Sequence, residues 1–422
     1  MKIERYSAYK QTGIPWLPEV PEGWTIQRLR NLFSQRHELY TADEQLIVLS
    51  LLKDIGIIPY DEKGAIGNKS KNDMSEYKVA RKGDIVMNSM NVIIGSVDIT
   101  PYDGYISPAY YALTAREGVE CRYFNYIFHL KRLQQAMRSL AKGILEIRLR
   151  ISSTNLFGMY YPVPSLFEQQ SIVSFLDDKC GKIDVLVAAK EKEVELLKEL
   201  KQTVIADAVT RGIDGEIPSV ETGVFWQQLM PHGWSVRKLR HVLKKLNRRR
   251  PVDAELLVCT NKGTVNKRGD AKIGLISEDV TIYQGVEPED LLIHGMDTWH
   301  GAIAVSGLRG MCTSVVHVCD SNQNKSFVAH YLRNMARGKL FKLLSNGVRQ
   351  NTSDFRSWEK LAPLLIVLPP REEQDRIVSF IEEKTAKIDQ AVAGLTEQIA
   401  ALKEYKQRLI ADVVTGQMKV VA

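Results

Sequence analysis

No run of eighteen or more apolar residues occurs in the 422-residue chain, so no membrane-spanning helix is expected. The opening MKIERYSAYKQTG is polar and lacks the apolar core of a signal peptide, which favours a cytoplasmic protein. Cysteine is sparse: Cys121, Cys180, Cys259, Cys312 and Cys319 are odd in number and form no CxxC pair. They read as reduced thiols, and the spacing of Cys312, Cys319 and the nearby histidines does not suit zinc. Catalytic motifs are also missing. There is no G-x-x-x-x-G-K-[ST] phosphate loop, Gly301, Gly307 and Gly310 lack GxGxxG spacing, and no Asn-Pro-Pro-Tyr stretch is present to hold a flipped base. Asp61-Glu62-Lys63 falls in a turn-like stretch and reads as a solvated loop, not a metal site. His294, His300 and His317 are spread along strand-like runs and read as satisfied histidines. The chain is therefore expected to catalyse nothing and to hold no metal or cofactor of its own.

What is present is a repeat. TGIPWLPEVPEGW (12–24) lies over TGVFWQQLMPHGW (222–234) at an offset of 210, and four of the six tryptophans fall in these two segments. EQQSIVSFLDDKCGKID (168–184) matches EQDRIVSFIEEKTAKID (373–389), and LKELKQTVIADAVT (197–210) matches LKEYKQRLIADVVT (402–415), both at 205. Between them the halves agree only in pattern: GDIVMNSM (83–90) lies over EDLLIHGM (289–296), and Gly95 and Gly104 fall on Gly301 and Gly310. Each half is thus a variable region followed by a shared one: 1–165 then 166–212, and 213–368 then 369–422.

The shared regions read as long helices. Ile388, Val392, Leu395, Ile399, Leu402, Tyr405, Leu409 and Val413 recur every three or four residues, as in a coiled-coil seam. Their counterparts are Ile183, Val187, Lys190, Val194, Leu197, Leu200, Val204 and Ala208, with Lys190 left to snorkel. Residues 168–210 would span about 65 Å as one helix. Two such seams are most simply buried on each other. The variable regions mix strand-like runs (LIVLSLL, GDIVMN, LLVCT, AIAVSG) with helical segments near 123–141 and 327–345, so they read as α/β globules. The expected fold is α/β (α+β): two globular domains joined by two long antiparallel coiled-coil helices with an internal pseudo-twofold repeat. Trp24 and Trp234 are expected to pin the start of each domain to its core.

Positive charge is modest overall, 57 Lys+Arg against 50 Asp+Glu, but it is clustered. Residues 237–250, RKLRHVLKKLNRRR, hold eight Lys/Arg in fourteen positions, with Lys244, Lys245, Arg248 and Arg249 at their centre. Segments 121–145 and 321–353 are likewise basic; the former holds Arg122, Lys131, Arg132, Arg138 and Lys142, the latter Lys325, Arg333, Arg337, Lys339, Lys342 and Arg349. A basic stretch recurring at equivalent places of two divergent domains points to nucleic-acid phosphate. The turns after the basic helices are the leading candidates for base contact. They are Asn346, Gly347, Arg349, Gln350 and Asn351 in one half, and Lys142, Gly143, Arg148 and Arg150 in the other. Glycine allows close approach, Arg can fork onto guanine, and Gln or Asn can do so onto adenine.

The two PxGW segments, the two proline-then-EQ junctions (Pro162, Pro164, Glu168, Gln169; Pro369, Pro370, Glu373, Gln374) and the endings LKELKQTVIADAVTRG and LKEYKQRLIADVVTGQ resemble the specificity (S) subunits of type I restriction–modification systems. The resemblance runs along essentially the whole chain. It implies two target recognition domains (1–165 and 213–368), each reading half of a bipartite, asymmetric site in double-stranded DNA. It implies helices that set the spacer and dock two methyltransferase (M) subunits, with restriction (R) subunits joining in the holoenzyme. S-adenosylmethionine, ATP and Mg would belong to those partners in a prokaryotic cytoplasm, and the methylated atom would be adenine N6. Against this stand a self-sufficient methyltransferase or nuclease, which the missing motifs disfavour, and a scaffold binding proteins only, which the recurring basic stretches disfavour.

Overall fold

The structure is a computed structural model and describes residues 4–53, 55–64, 73–141, 149–215, 218–252, 254–269, 280–345 and 355–420. The chain forms two units: residues 1–191 with 397–422, and residues 192–396. Both are built to one plan.

In the first unit the strand Phe33–Gln35 pairs with Tyr110–Ala115, which pairs with Ile85–Asn88 and then Val97–Ile99. A second sheet runs Gly56–Pro59, Ile47–Leu52, Gly104–Ile106, Lys78–Ala80. In the second unit the order Lys244–Lys245, Val316–Asp320, Leu291–His294, Ile303–Val305 repeats the first sheet. The register repeats too: Ile85 faces Ile99 as Leu291 faces Val305, and Tyr110 faces Asn88 as Val316 faces His294. The matched glycines have a shared reason. A Cβ on Gly104 would lie 2.7 Å from the Ile47 carbonyl, and one on Gly310 would lie 2.6 Å from the Glu255 carbonyl. Only glycine lets these neighbouring strands approach so closely.

The helical segments expected near 123–141 and 327–345 each prove to be two helices, Cys121–Phe128 with Lys131–Leu140, and Lys325–Arg337 with Leu340–Leu344. The break falls at an extended Leu130 in one unit and at a left-handed Lys339 in the other. Tyr123, Phe124, Ile127 and Phe128 are all fully buried, and burying such side chains is worth roughly 1.5–3 kcal/mol each.

Two long helices, Leu166–Arg211 and Arg371–Val414, have 46 and 44 residues, about 69 and 66 Å at ~1.5 Å per residue. They pack antiparallel, since partner numbers rise on one as they fall on the other. In the first unit Lys406 Nζ donates to Asp184 (2.7 Å), Lys403 Nζ to Glu191 (2.7 Å) and Lys190 Nζ to Gln398 (2.6 Å). In the second Lys201 Nζ donates to Asp389 (2.6 Å). Ile183, Val187 and Leu409 are buried; Val194, Leu197, Val204, Ile388, Val392, Leu395, Ile399 and Leu402 are half-buried. Leu200 and Tyr405 leave the expected seam, at 49% and 48% exposure. The three-and-four spacing continues instead through Lys201 and Lys406, which reach across to equivalent aspartates. Lys190 snorkels as expected.

The two shared junctions are clamped by equivalent glutamines. Gln169 Oε1 accepts from the Glu120 amide (2.9 Å), and its Nε2 donates to the Pro164 (3.0 Å) and Gly118 (3.3 Å) carbonyls. Gln374 Oε1 accepts from the Asn324 amide (2.9 Å), and its Nε2 donates to Pro369 O (2.9 Å) and Gln323 Oε1 (2.7 Å). Each buried amide ties a proline-rich turn to the N-cap of the domain's main helix. This is why EQ follows proline in both copies.

Each domain start is covered by a long-helix end. In the second unit Trp234 is buried with Ile205, Ala208 and Val209. In the first, Trp24 is buried with Leu409, Ile410, Val413, Val414 and Met418, as the pinning role requires. There Tyr9 Oη donates to Gly416 O (2.9 Å) and Tyr123 Oη to Val414 O (3.0 Å).

Candidate nucleic-acid interface

In the second unit the edge strand Lys244–Lys245 pairs with Val316–Asp320, and the chain then runs on through residues 246–250. The Leu246 amide donates to Val318 O (2.7 Å), and Arg249 bridges Gln284, whose Nε2 donates to Val316 O (2.5 Å). These bonds carry the basic run along the wall of a cleft of about 970 Å³, lined by Lys245, Asn247, Arg249, Arg250, Gln284 and Ser314 among others. Lys244, Lys245, Asn247, Arg249 and Arg250 are exposed. The exposed cations lining the cleft, Lys245, Arg249 and Arg250, with amide and hydroxyl groups between them, suit a phosphate backbone with base edges beyond it.

Arg248 differs from its neighbours. Its guanidinium donates to the buried Asp290, which also accepts the Glu287 amide (2.8 Å). The charge-assisted bond to Asp290 raises the Arg248 pKa further. Arg36 does the same in the first unit, forking onto the buried Asp84 at 2.7 and 3.2 Å. Thr114 Oγ1 completes that site at 2.8 Å from Asp84. The two arginines hold strand to turn within the domain.

The remaining candidates concern the turns after the basic helices. Lys142, Gly143, Arg148, Asn346, Gly347, Arg349, Gln350 and Asn351 lie outside the described residues. The chain beyond each turn is anchored at one equivalent place: Ile151 N donates to Ser89 O (3.0 Å) and Phe355 N to Gly295 O (3.2 Å). Ser89 and Gly295 directly follow the Ile85–Asn88 and Leu291–His294 strands. Arg150 is exposed, and its charge joins burial in lowering the pKa of Lys78, whose Nζ donates to the Pro108 (2.7 Å) and Tyr110 (2.8 Å) carbonyls.

The first unit has a smaller cleft of about 350 Å³ that the sequence reading missed, with Lys53, Asn88, Asn91, Ser96 and Ser107 in its lining. Tyr60 also lines it, and Lys63 Nζ sits 4.3 Å from the Tyr60 ring centroid; Lys63 is buried, against the expected solvated loop, while Asp61 is exposed. The signal was available in the overlay of GDIVMNSM on EDLLIHGM, which sets Asn88 against His294. In the same unit Arg81 pairs with Glu38 and Glu44 (2.6 Å to the latter). Two clefts of different size and charge stand on one backbone plan.

Among the described residues no group of His, Cys, Asp and Glu could hold a metal ion. The cysteines are free thiols, and burial pushes Cys259, Cys312 and Cys319 up to about 12. His317 is a core residue whose Nε2 meets Phe355 O at 2.7 Å. No helix among the described residues is long and apolar enough to cross a membrane.

No family model matches the chain. It is similar to the type I restriction enzyme StySPI specificity subunit of Salmonella potsdam, at 24% identity over 311 residues. That match takes in 70% of this chain and 65% of the relative's length, so about a third of the relative is unmatched. Among solved structures, a chain studied for complex assembly and conformational transition of the type I R-M system aligns with TM-score 0.70 and 15% identity, over 94% of this chain and 98% of that one. The HsdS subunit from Thermoanaerobacter tengcongensis aligns with TM-score 0.54 and 18% identity, over the same shares. The fold is that of these chains, with two domains and long paired helices, and the resemblance carried by the sequence motifs points the same way.

Proposed function

We propose that this chain is the DNA-recognition subunit of a type I restriction–modification complex, with target recognition domains in 1–165 and 213–368. The observation that carries the reading is the doubled unit: one scaffold, clamped by the same glutamine in both copies, presents two clefts that differ in charge and size. Two unlike readers on one chain recognise an asymmetric, bipartite target in double-stranded DNA. Lys244, Lys245 and Arg249 contact phosphate and set register; the turns at 142–148 and 346–351 reach base edges. The seam residues of the helix pair hold the two readers apart, so helix length sets the spacer. The same helices dock two methyltransferase subunits, and restriction subunits complete the assembly. Adenine-N6 methylation and cleavage, with S-adenosylmethionine, ATP and Mg, belong to those partners in a prokaryotic cytoplasm.

The test is single-molecule methylation sequencing of DNA from cells carrying this gene with its neighbouring methyltransferase gene. The expected result is a split motif with adenine methylation and a fixed gap, abolished when this gene alone is deleted. Methylation that persists without this gene would overturn the proposal.

A further inference from the structure

A second cavity in the 192–396 unit, of about 490 Å³, lies between the first long helix and the helix Lys325–Arg337. Lys201, Lys262, Arg333 and Arg337 line it, and among the described residues no carboxylate does. Lys201 is matched by Asp389. The two arginines meet backbone carbonyls: Arg333 donates to Lys262 O (2.8 Å) and Arg337 to Gln202 O (3.5 Å). Two donors in the wall, Arg333 Nε and Trp299 Nε1, are buried without a hydrogen-bond partner. Arg333 is half-buried without a counter-charge, which is costly, and an anion would offset that cost; Arg337 and Lys262 are exposed and can close on it from the rim.

The neighbourhood is electropositive by a second measure. His330, also in the lining, is held down to about 4, first by burial and then by Arg333, Arg337 and Lys201. In the first unit the equivalent helix instead sets Tyr126 Oη 2.8 Å from Asp177, which Arg122 also meets. Arg333 and Arg337 belong to the basic stretch 321–353 singled out by composition; in the fold Arg333 meets the turn at Lys262 and Arg337 the long helix at Gln202.

We propose that this cavity binds a phosphate-class oxyanion, held by the guanidinium groups of Arg333 and Arg337 with Lys262 at the rim. Planar guanidinium forks match the oxygens of phosphate, and three cations suit a dianion better than a monoanion. The phosphate can come from solution, free or on a nucleotide, or from a nucleic-acid backbone.

The experiment titrates inorganic phosphate into the full-length chain at fixed ionic strength, with chloride as the exchanged anion, and reads heat or tryptophan fluorescence. The expected result is one saturable site, weakened about tenfold in Arg337→Gln and in Lys262→Gln. Arg333→Lys, which keeps the charge but loses the fork, weakens it as well. Phosphate no tighter than chloride, or variants that titrate like the parent, overturns the proposal. A duplex-binding assay then separates the sources. If the backbone supplies the phosphate, inorganic phosphate competes with duplex and Arg337→Gln lowers duplex affinity. If a soluble phosphate supplies it, duplex affinity is unchanged and ATP displaces inorganic phosphate. The phosphate titration contains no DNA, so it stands or falls apart from the recognition reading.

Discussion

Replacing Gln374 by Met keeps the length and most of the volume of a buried side chain while removing three hydrogen bonds, to the Asn324 amide, Pro369 O and Gln323 Oε1. At about 1 kcal/mol net per bond the loss is about 3 kcal/mol, because a buried amide and a buried carbonyl are left unpaired. For a unit of roughly 200 residues, 1 kcal/mol moves the midpoint by about 2–4 °C, so the expected fall is about 6–12 °C. Gln169→Met should cost about the same in the other unit, where the partners are the Glu120 amide, Pro164 O and Gly118 O. Gln390 is exposed on the second long helix, and Gln390→Met is the control, expected within about 0.5 kcal/mol of the parent. Differential scanning calorimetry of the full-length chain reads all three. A fall under about 2 °C for Gln374→Met, or one equal to the control's, would refute the claim that these clamps hold the helix junctions.

Gly416 has φ +74°, and a Cβ there would enter the Pro21 ring and lie 3.2 Å from Trp24 Cη2; Gly416→Ala should cost about 2–4 kcal/mol in urea unfolding. Gly13 has φ +69° with nothing within 4 Å of its Cβ, so Gly13→Ala should cost only about 1 kcal/mol. His330 titrates near 4 in the folded chain against an ordinary 6.5, so its contribution is full above pH 6.5 and is lost as the pH falls toward 4. The amount is about 3 kcal/mol, and urea midpoints for His330→Gln should fall less steeply over that window than those of the parent. Finally, Arg349→Ala with Gln350→Ala should relax only the half-site read by 213–368, at about 1–3 kcal/mol per lost contact, as seen in competition with single-base variants of the target. Equal weakening at both half-sites would make these residues phosphate contacts.

The long helices were legible because a three-and-four repeat sustained over some 26 residues in each copy marks a helix seam, and the doubled PxGW and EQ segments announced the two-copy plan. The seam's polar layer was not. Leu200 and Tyr405 look like seam residues by hydropathy, whereas Lys201 and Lys406 hold the position because each meets an aspartate some 190 to 220 residues away in the chain. Long-range pairing also hid the role of Arg248. A basic run looks uniformly solvated until Asp290 is placed under one of its members. The broken helices escaped notice because apolar spacing carries on across Leu130 and Lys339, where only backbone dihedrals reveal the stop.

The division of the first unit between residues 1–191 and 397–422 has a consequence for synthesis. Residues 192–396 hold every part of their own unit and can close as soon as they leave the ribosome. Residues 1–191 emerge first, yet the side chains that cover Trp24 come from Leu409 to Met418. At about 5–20 residues per second, the intervening stretch of roughly 200 residues takes about 10–40 s to make. For that interval the earliest-made domain carries an open apolar face, while the later-made one is already shut. The order of closure is the reverse of the order of translation, and a ribosome stalled before residue 397 leaves exposed the surface that a chaperone or a protease would find first.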